Sequence, residues 1–124
     1  MRKGPKYLNL VEIRLPLPAV VSFMHRVSGA FLFMVLPVLL LWLQQSLTSA
    51  EGFTAVRDAF SHWAAKAFVL ALLWAFFHHL FAGIRHLIMD VYLRADELAV
   101  GRFSAKLALV LGIVMTVVAG VALW

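Results

Sequence analysis

Three long apolar runs dominate the pattern of hydrophobic and polar positions along this chain. Residues 27–47 and 107–124 carry no charged side chain, and residues 67–84 carry none beyond two titratable histidines. A helix that crosses a bilayer needs about 20 mostly apolar residues. The pattern therefore predicts an all-α integral membrane protein with three transmembrane helices in a single transmembrane domain, residues 1–124.

Polar residues and prolines near the ends of these runs set the expected helix bounds. Because proline is tolerated in the first turn of a helix, the first helix is predicted to begin near Pro18, and Pro37 is predicted to kink it. The connection over residues 48–66 is interpreted as a linker with a short amphipathic helix, in which His62 is solvated. The expected transmembrane helices cover about residues 19–47, 63–90 and 104–124.

The composition indicates that lipid solvates part of this chain. It also excludes several kinds of binding site. The chain is 64% hydrophobic and 14% charged, against roughly 25% charged residues in an average soluble domain. The absence of cysteine excludes disulfides, zinc–thiolate sites and iron–sulfur clusters held by this chain. No glycine-rich phosphate-binding loop occurs, which argues against a flavin or nicotinamide site. Any redox chemistry here must therefore use histidine and a bound cofactor.

The basic residues are distributed unevenly between the two sides of the expected membrane. Nine of the 11 Lys and Arg residues lie near the start of the first helix or around the connection between the second and third. Only Arg57 and Lys66 lie between the first and second helices. The positive-inside rule then places the N-terminus in the cytoplasm and the C-terminus in the periplasm, most simply in a bacterial inner membrane. The net charge of +5 is thus a topology signal, and no nucleic-acid partner is expected.

Small side chains recur every four residues along the third predicted helix. They form one stripe, which consists of Ala108, Gly112, Thr116 and Gly120. Stripes of this kind let helix backbones approach each other closely in lipid. We therefore expect this face of the helix to pack against another helix.

A polar cluster lies at the cytoplasmic end of the first helix. Polar side chains within a membrane are energetically unfavourable, so those that occur there indicate a candidate functional site. Ser22, Arg26 and Gly29 share one helix face, and His25 lies beside them. A hydroxyl and a guanidinium one turn apart can hold a carbonyl-bearing head group, and the guanidinium also suits a carboxylate or a haem propionate. The spacing is equally compatible with an arginine that serves only as a topology signal.

A second polar cluster forms a stripe on the second helix. Gly83, His86 and Asp90 lie within about 40° of His79 around the helix. An imidazole in an apolar span suits haem iron, and a glycine one turn on lets a flat macrocycle approach the backbone. His86, near the headgroups, can meet a haem propionate. Histidines that hydrogen-bond between helices are an equally compatible interpretation, whereas zinc is disfavoured because no soft ligand is present.

Two neighbours of this stripe point in other directions. His78 is about 100° around the helix from His79, so the two cannot ligate the same iron from a regular helix. His78 stays open as an alternative ligand, because a small rotation or a π-bulge would present it instead. Arg85 is predicted to point away from the stripe, towards a quinone site, a lipid phosphate or a partner.

Together the two clusters resemble a known family. Ser22-x-x-His25-Arg26-x-Ser28-Gly29 is similar to the SxxHRxSG signature of the cytochrome b-type membrane anchor of succinate dehydrogenase, the C subunit of bacterial complex II. The run His79-x-x-x-Gly83-Ile84-Arg85-His86-x-x-x-Asp90 resembles the second signature of that family. The resemblance covers nearly the whole chain. It departs from the family pattern at His78, where a residue that does not ligate is expected.

The resemblance implies a role for each position. The fold would be half of a heterodimeric helix bundle with one b-type haem between two anchor subunits, and His79 would be this chain's axial ligand. A histidine of the second anchor subunit would be the other ligand. Ser22 and Arg26 would line the quinone site, which receives electrons from succinate through a flavoprotein and an iron–sulfur subunit. The residues near the haem propionates would be His25, Arg26, Gly83 and His86. No activity is expected from the isolated chain.

Three other functions fit parts of this pattern. An anchor of a quinol:fumarate reductase has the same architecture and runs mainly in the opposite direction. The histidines could form the relay of a small transporter, although residues 67–77 offer no polar side chain to continue a pathway. A purely structural anchor would tolerate replacement of Ser22, Arg26 and His79.

Overall fold

The computed structural model describes residues 15–92 and 98–124, which form four α-helices. These are α1 (Leu17–Thr48), α2 (Ala50–Ser61), α3 (Trp63–Val91) and α4 (Leu98–Leu123). No strand occurs in the described ranges. The three long helices have mean hydropathies of 2.1, 1.9 and 2.4 and are long enough to cross a membrane. The expected all-helical membrane bundle is confirmed.

The long helices extend beyond the uncharged runs. α1 begins at Leu17, because Pro16 is in extended backbone and Pro18 fits the first turn, and it continues through Pro37 without a break. α4 begins six residues before the predicted start and includes Arg102 and Lys106. Both side chains are exposed, and long charged side chains of this kind reach from a helix towards the headgroups. Charge therefore did not end the helix.

The expected short helix in the linker is present as α2. Its N-terminus is capped by Ser49, whose Oγ accepts a hydrogen bond from the backbone N–H of Gly52 at 3.0 Å. Trp42 of α1 packs edge-on against Phe60 of α2, with ring centroids 5.0 Å apart. His62 is exposed, as expected, but it also caps α3, because its Nδ1 accepts from the backbone N–H of Ala64 at 3.3 Å. The linker therefore joins α1 to α3 through two capped turns.

The small-residue stripe of α4 packs against another helix, as predicted, and that helix is α3. Ala108 and Thr116 are buried. A Cβ built on Gly112 would lie 3.3 Å from Cα of His78, so the two backbones are in direct contact. All three long helices meet in a small buried cluster that consists of Val21, Ala82 and Ala105.

We expect Gly112→Ala to destabilise the contact between α3 and α4. Its new methyl group would meet backbone atoms of His78 at 3.3 and 3.4 Å, and overpacking of this kind costs about 1–3 kcal/mol. Gly120→Ala is the matched control, because its methyl group would meet only the flexible end of Leu70. Thermal unfolding of the purified protein should show a lower midpoint for Gly112→Ala alone. Equal midpoints for the two variants would show that the close backbone contact does not limit stability.

Candidate functional site

His25, His79 and His86 meet between α1 and α3, and we call them the histidine cluster. The rings of His25 and His79 are stacked, with centroids 4.2 Å apart and 7° between their planes. The rings of His25 and His86 are tilted by 52° at 5.2 Å. The polar clusters of the first two predicted spans therefore form one site at the same end of the bundle.

The backbone of α1 forms a hydrogen bond with one ring nitrogen of His79. Nδ1 of this ring lies 2.9 Å from the carbonyl oxygen of His25. Because a carbonyl oxygen only accepts, Nδ1 carries the hydrogen, and Nε2 keeps its lone pair. The hydroxyl of Ser28 donates to the same carbonyl oxygen at 2.9 Å and lies 3.5 Å from Nδ1. In the described part of the chain, every hydrogen bond of the His79 ring uses Nδ1.

Two glycines lack the side chain that would otherwise occupy the space of the histidine rings. A Cβ on Gly29 would lie 2.6 Å from Cε1 of His79, which is closer than side chains pack. A Cβ on Gly83 would lie 3.2 Å from Nε2 of His25, so the imidazole of His25 lies over the glycine that was expected to face a macrocycle. Gly29 belongs to the first motif, but periodicity within one helix does not reveal what another helix brings against it.

His78 lies apart from the histidine cluster, inside the three-helix bundle. Its side chain is fully buried, at 0% exposure, and it stacks on Trp74 with ring centroids 5.2 Å apart and 11° between planes. Its backbone contacts the position of Gly112 on α4. Neither ring nitrogen has a hydrogen-bond partner among the residues that the structure describes. The offset of about 100° between adjacent helical residues thus puts His78 and His79 on different sides of α3.

Arg85 also points away from the histidine cluster, as its helical position predicted, and it packs against α4. Its side chain is 6% exposed. Nε donates to Oγ of Ser104 at 3.0 Å, and Nη2 donates to the carbonyl oxygen of Gly101 at 3.4 Å. The sequence did not indicate Gly101 as a partner, because α4 was expected to begin only at residue 104, and the contact with Ser104 depends on how α3 and α4 are rotated against each other.

Ser22 and Arg26 lie one turn apart on α1. Arg26 is exposed and Ser22 is partly exposed. Arg26 follows His25 directly, so its side chain leaves the helix about 100° from that of His25. The structure therefore brings together His25, His79, Gly83 and His86, whereas Arg26 lies on the open surface next to them. Asp90, the last residue of the predicted stripe, is exposed near the end of α3.

Three helices long and apolar enough to cross a membrane, with histidines clustered between two of them, define the class of helical integral membrane proteins. The chain belongs to the succinate dehydrogenase/fumarate reductase transmembrane subunit family, whose model matches residues 2–119.

Similarity to individual proteins agrees with this assignment. The chain is 37% identical over 124 residues to the succinate dehydrogenase cytochrome b556 subunit of Coxiella burnetii (strain RSA 493 / Nine Mile phase I), a match that covers 98% of each chain. It is 34% identical over 82 residues to the cytochrome b556 subunit of Paracoccus denitrificans, covering 66% of this chain and 63% of that protein. It is 29% identical over 102 residues to the cytochrome b560 subunit of Chondrus crispus, covering 80% of each. The resemblance to cytochrome b-type anchors of succinate dehydrogenase, drawn from the two polar motifs, is confirmed.

Proposed function

We propose that this succinate dehydrogenase membrane subunit binds one b-type haem at its interface with a second anchor subunit and forms part of the quinone-reduction site. The observation that supports this function most strongly is the hydrogen bond from Nδ1 of His79 to the carbonyl oxygen of His25. Histidines that ligate metals usually donate their other ring N–H to a carbonyl or carboxylate, which fixes the tautomer and the ring orientation. His79 would therefore hold the haem iron through Nε2.

The surrounding residues fit a haem as well. A b-type haem supplies one-electron chemistry when it is bound. His86 and Arg26 provide donors suited to propionate carboxylates at the cytoplasmic end of the bundle. His78 fits the role of ligand poorly, because both of its ring nitrogens are buried inside the three-helix bundle. We assign the other histidine ligand of the haem to the partner anchor, because His25 stacks face to face on His79 and so cannot approach the iron from the opposite face of the haem.

Ser22 and Arg26 are the residues of this chain that bind quinone. Their hydroxyl and guanidinium donate hydrogen bonds to a quinone carbonyl oxygen and hold the ring at the membrane boundary. Electrons reach this site from succinate through a flavoprotein subunit and an iron–sulfur subunit, while this chain supplies binding, orientation and electrostatics. The family also includes fumarate reductase subunits, and the direction of electron flow depends on the catalytic subunits and on the potential of the quinone.

The bundle is oriented with its histidine cluster towards the cytoplasmic side of a bacterial inner membrane. Trp63 and Trp124 are exposed at 76% and 54%. Nζ of Lys66 lies 5.7 Å from the ring centroid of Trp124, so the start of α3 and the end of α4 are at the same end of the bundle. Exposed tryptophans suit the headgroup layer. Fewer Lys and Arg residues lie near this end than near the other, so the positive-inside rule assigns this end, with the C-terminus, to the periplasm.

Replacement of Arg26 tests the quinone site. Arg26→Leu is expected to lower succinate:quinone reductase activity, because the quinone loses a charge-assisted donor. Succinate oxidation with a soluble artificial acceptor should be unchanged, since that route bypasses the membrane site. Both activities should be measured in the intact purified complex. An equal loss of both would point to failed assembly and would count against a direct role of Arg26 in quinone binding.

Ser22→Ala tests the second quinone contact and should have a milder effect. Loss of one polar partner costs about 1–3 kcal/mol, so the apparent affinity for quinone should fall while the maximal rate stays closer to that of the wild type. Steady-state titration with quinone measures this change. An unchanged apparent affinity would remove Ser22 from the proposed site.

A further inference from the structure

A groove on the outer surface of α3 and α4 has a charged residue at its base. Its volume is about 170 Å³, and Arg85 and Ser104 are the polar residues that line it. The apolar walls are formed mainly by Phe81, Ile84, Ile88, Leu107 and Leu111. We propose that this groove binds an anionic phospholipid, with the phosphate accepting hydrogen bonds from Arg85 and an acyl chain lying along the apolar walls.

The charge of Arg85 favours an anionic ligand. Its side chain is 6% exposed, and its hydrogen bonds in the described residues go to two neutral groups, the hydroxyl of Ser104 and the carbonyl oxygen of Gly101. A guanidinium has five N–H donors, so three of them form no hydrogen bond with the residues that the structure describes. Burial of a charge is unfavourable unless an opposite charge and further hydrogen bonds compensate for it. A phosphate supplies both, and its geometry matches the planar guanidinium.

The depth of the groove in the membrane fits the shape of a phospholipid. Arg85 lies six residues before Val91, the last residue of α3, which is about 9 Å from the helix end. The charge is therefore near the depth of the headgroups. Leu111 lies seven residues beyond Ser104 in α4, about 10 Å further into the bilayer. A ligand that contacts both ends of the groove needs a polar group at the boundary and an apolar chain below it.

The position of the groove around α3 leaves it open to lipid. Ile84 and Ile88 lie about 140° and 180° around the helix from His79. If the partner anchor shares a haem at His79, a step that rests on the proposed function, it contacts the opposite side of α3. The wall residues Ile88 and Leu107 are exposed at 50% and 46%, which gives an acyl chain access from the bilayer.

Two tryptophan substitutions on one face of α4 provide the first test. Leu107→Trp fills the groove from an exposed wall position. Val118→Trp is the matched control, because Val118 is 55% exposed and lies on nearly the same helix face, about three turns deeper and outside the groove. Each intact complex is stripped of loosely bound lipid, offered phosphatidylglycerol and phosphatidylcholine, and examined by native mass spectrometry for retained lipid. Phosphatidylglycerol should be retained by the wild type and by Val118→Trp, and lost from Leu107→Trp.

Arg85→Gln tests the charge separately from the shape of the groove. We expect its preference for phosphatidylglycerol over phosphatidylcholine to fall about tenfold, because a charge-assisted pair becomes a neutral one. The haem spectrum of the same samples should be unchanged in Leu107→Trp, so a failure of the lipid site is distinguishable from a failure of the proposed haem site. The lipid proposal is wrong if the wild type has no preference for the anionic lipid, or if Leu107→Trp retains as much as Val118→Trp. The proposal would also be overturned if native mass spectrometry detected quinone in place of lipid in the complex. Cross-linking of position 107 to another subunit would overturn it as well, because the groove would then be covered by protein.

Discussion

His79→Phe is expected to abolish the low-spin, bis-histidine haem spectrum that the proposed function predicts for the complex, whereas His78→Phe should leave that spectrum intact. The two histidines are adjacent in sequence, and the same ring replaces each of them, so the variants differ only in the side of α3 that changes. His79 presents Nε2 from the histidine cluster, with Nδ1 engaged by the carbonyl oxygen of His25. The ring of His78 is enclosed against Trp74, and phenylalanine can keep that stacking. Reduced-minus-oxidised visible spectra of the purified complexes measure the outcome.

The double variant decides between the two possible ligands. If His79→Phe retained an unaltered spectrum and the double variant lost it, His78 would be the ligand, which would require α3 to rotate from the arrangement described above. If even the double variant kept the spectrum, neither histidine would ligate the iron. The amounts of flavoprotein and iron–sulfur subunits that co-purify serve as the control for assembly.

Gly29→Ala should have the second largest effect, although it adds only one methyl group. The added Cβ would lie 2.6 Å from Cε1 of His79. The imidazole must therefore tilt, or α1 and α3 must separate, and either movement breaks the hydrogen bond from Nδ1 to the carbonyl oxygen of His25. We expect a lower haem content per flavin. In the haem that remains, the altered orientation and hydrogen bonding of the ligand should change the electron paramagnetic resonance signal and the midpoint potential.

Gly101→Ala is the matched control for this experiment. Its Cβ would be 3.8 Å from Cγ of Pro18, which is an ordinary van der Waals contact. Alanine is also the better helix former, so this variant should assemble normally and keep the haem signal of the wild type. A normal signal in Gly29→Ala as well would mean that the bond between His79 and α1 has no influence on the haem.

The features that depend on one helix at a time were predictable from the sequence. Lipid favours uninterrupted apolar helices, so hydropathy alone predicted the three spans. The periodicity of an α-helix predicted that Arg85 would point away from the face of His79. It also predicted that His78 would lie on a different side of α3 from His79. Each of these conclusions needs only the angle of about 100° per residue.

The features that depend on how two helices are rotated against each other were not predictable. Nothing in the spacing of the first motif indicates that the carbonyl oxygen of His25 faces Nδ1 of His79, or that Gly29 makes room for that ring. The contact of Gly112 with His78 was foreseen only as a close approach of unspecified helices. The bond of Arg85 to Gly101 could not be predicted, because Arg102 and Lys106 placed the expected start of α4 after Gly101. The bond to Ser104 depends on how α3 and α4 are rotated against each other.

The ring of His79 is oriented by a hydrogen bond to a main-chain atom. This affects which positions of α1 can vary in sequence. Every amino acid at position 25 carries a carbonyl oxygen, so no substitution there deletes the acceptor itself. A side chain at position 29, in contrast, would enter the space of the imidazole whatever its chemistry. As far as the orientation of His79 is concerned, variation is therefore tolerated at the residue that makes the bond. It is restricted at a residue that makes no bond to the ring.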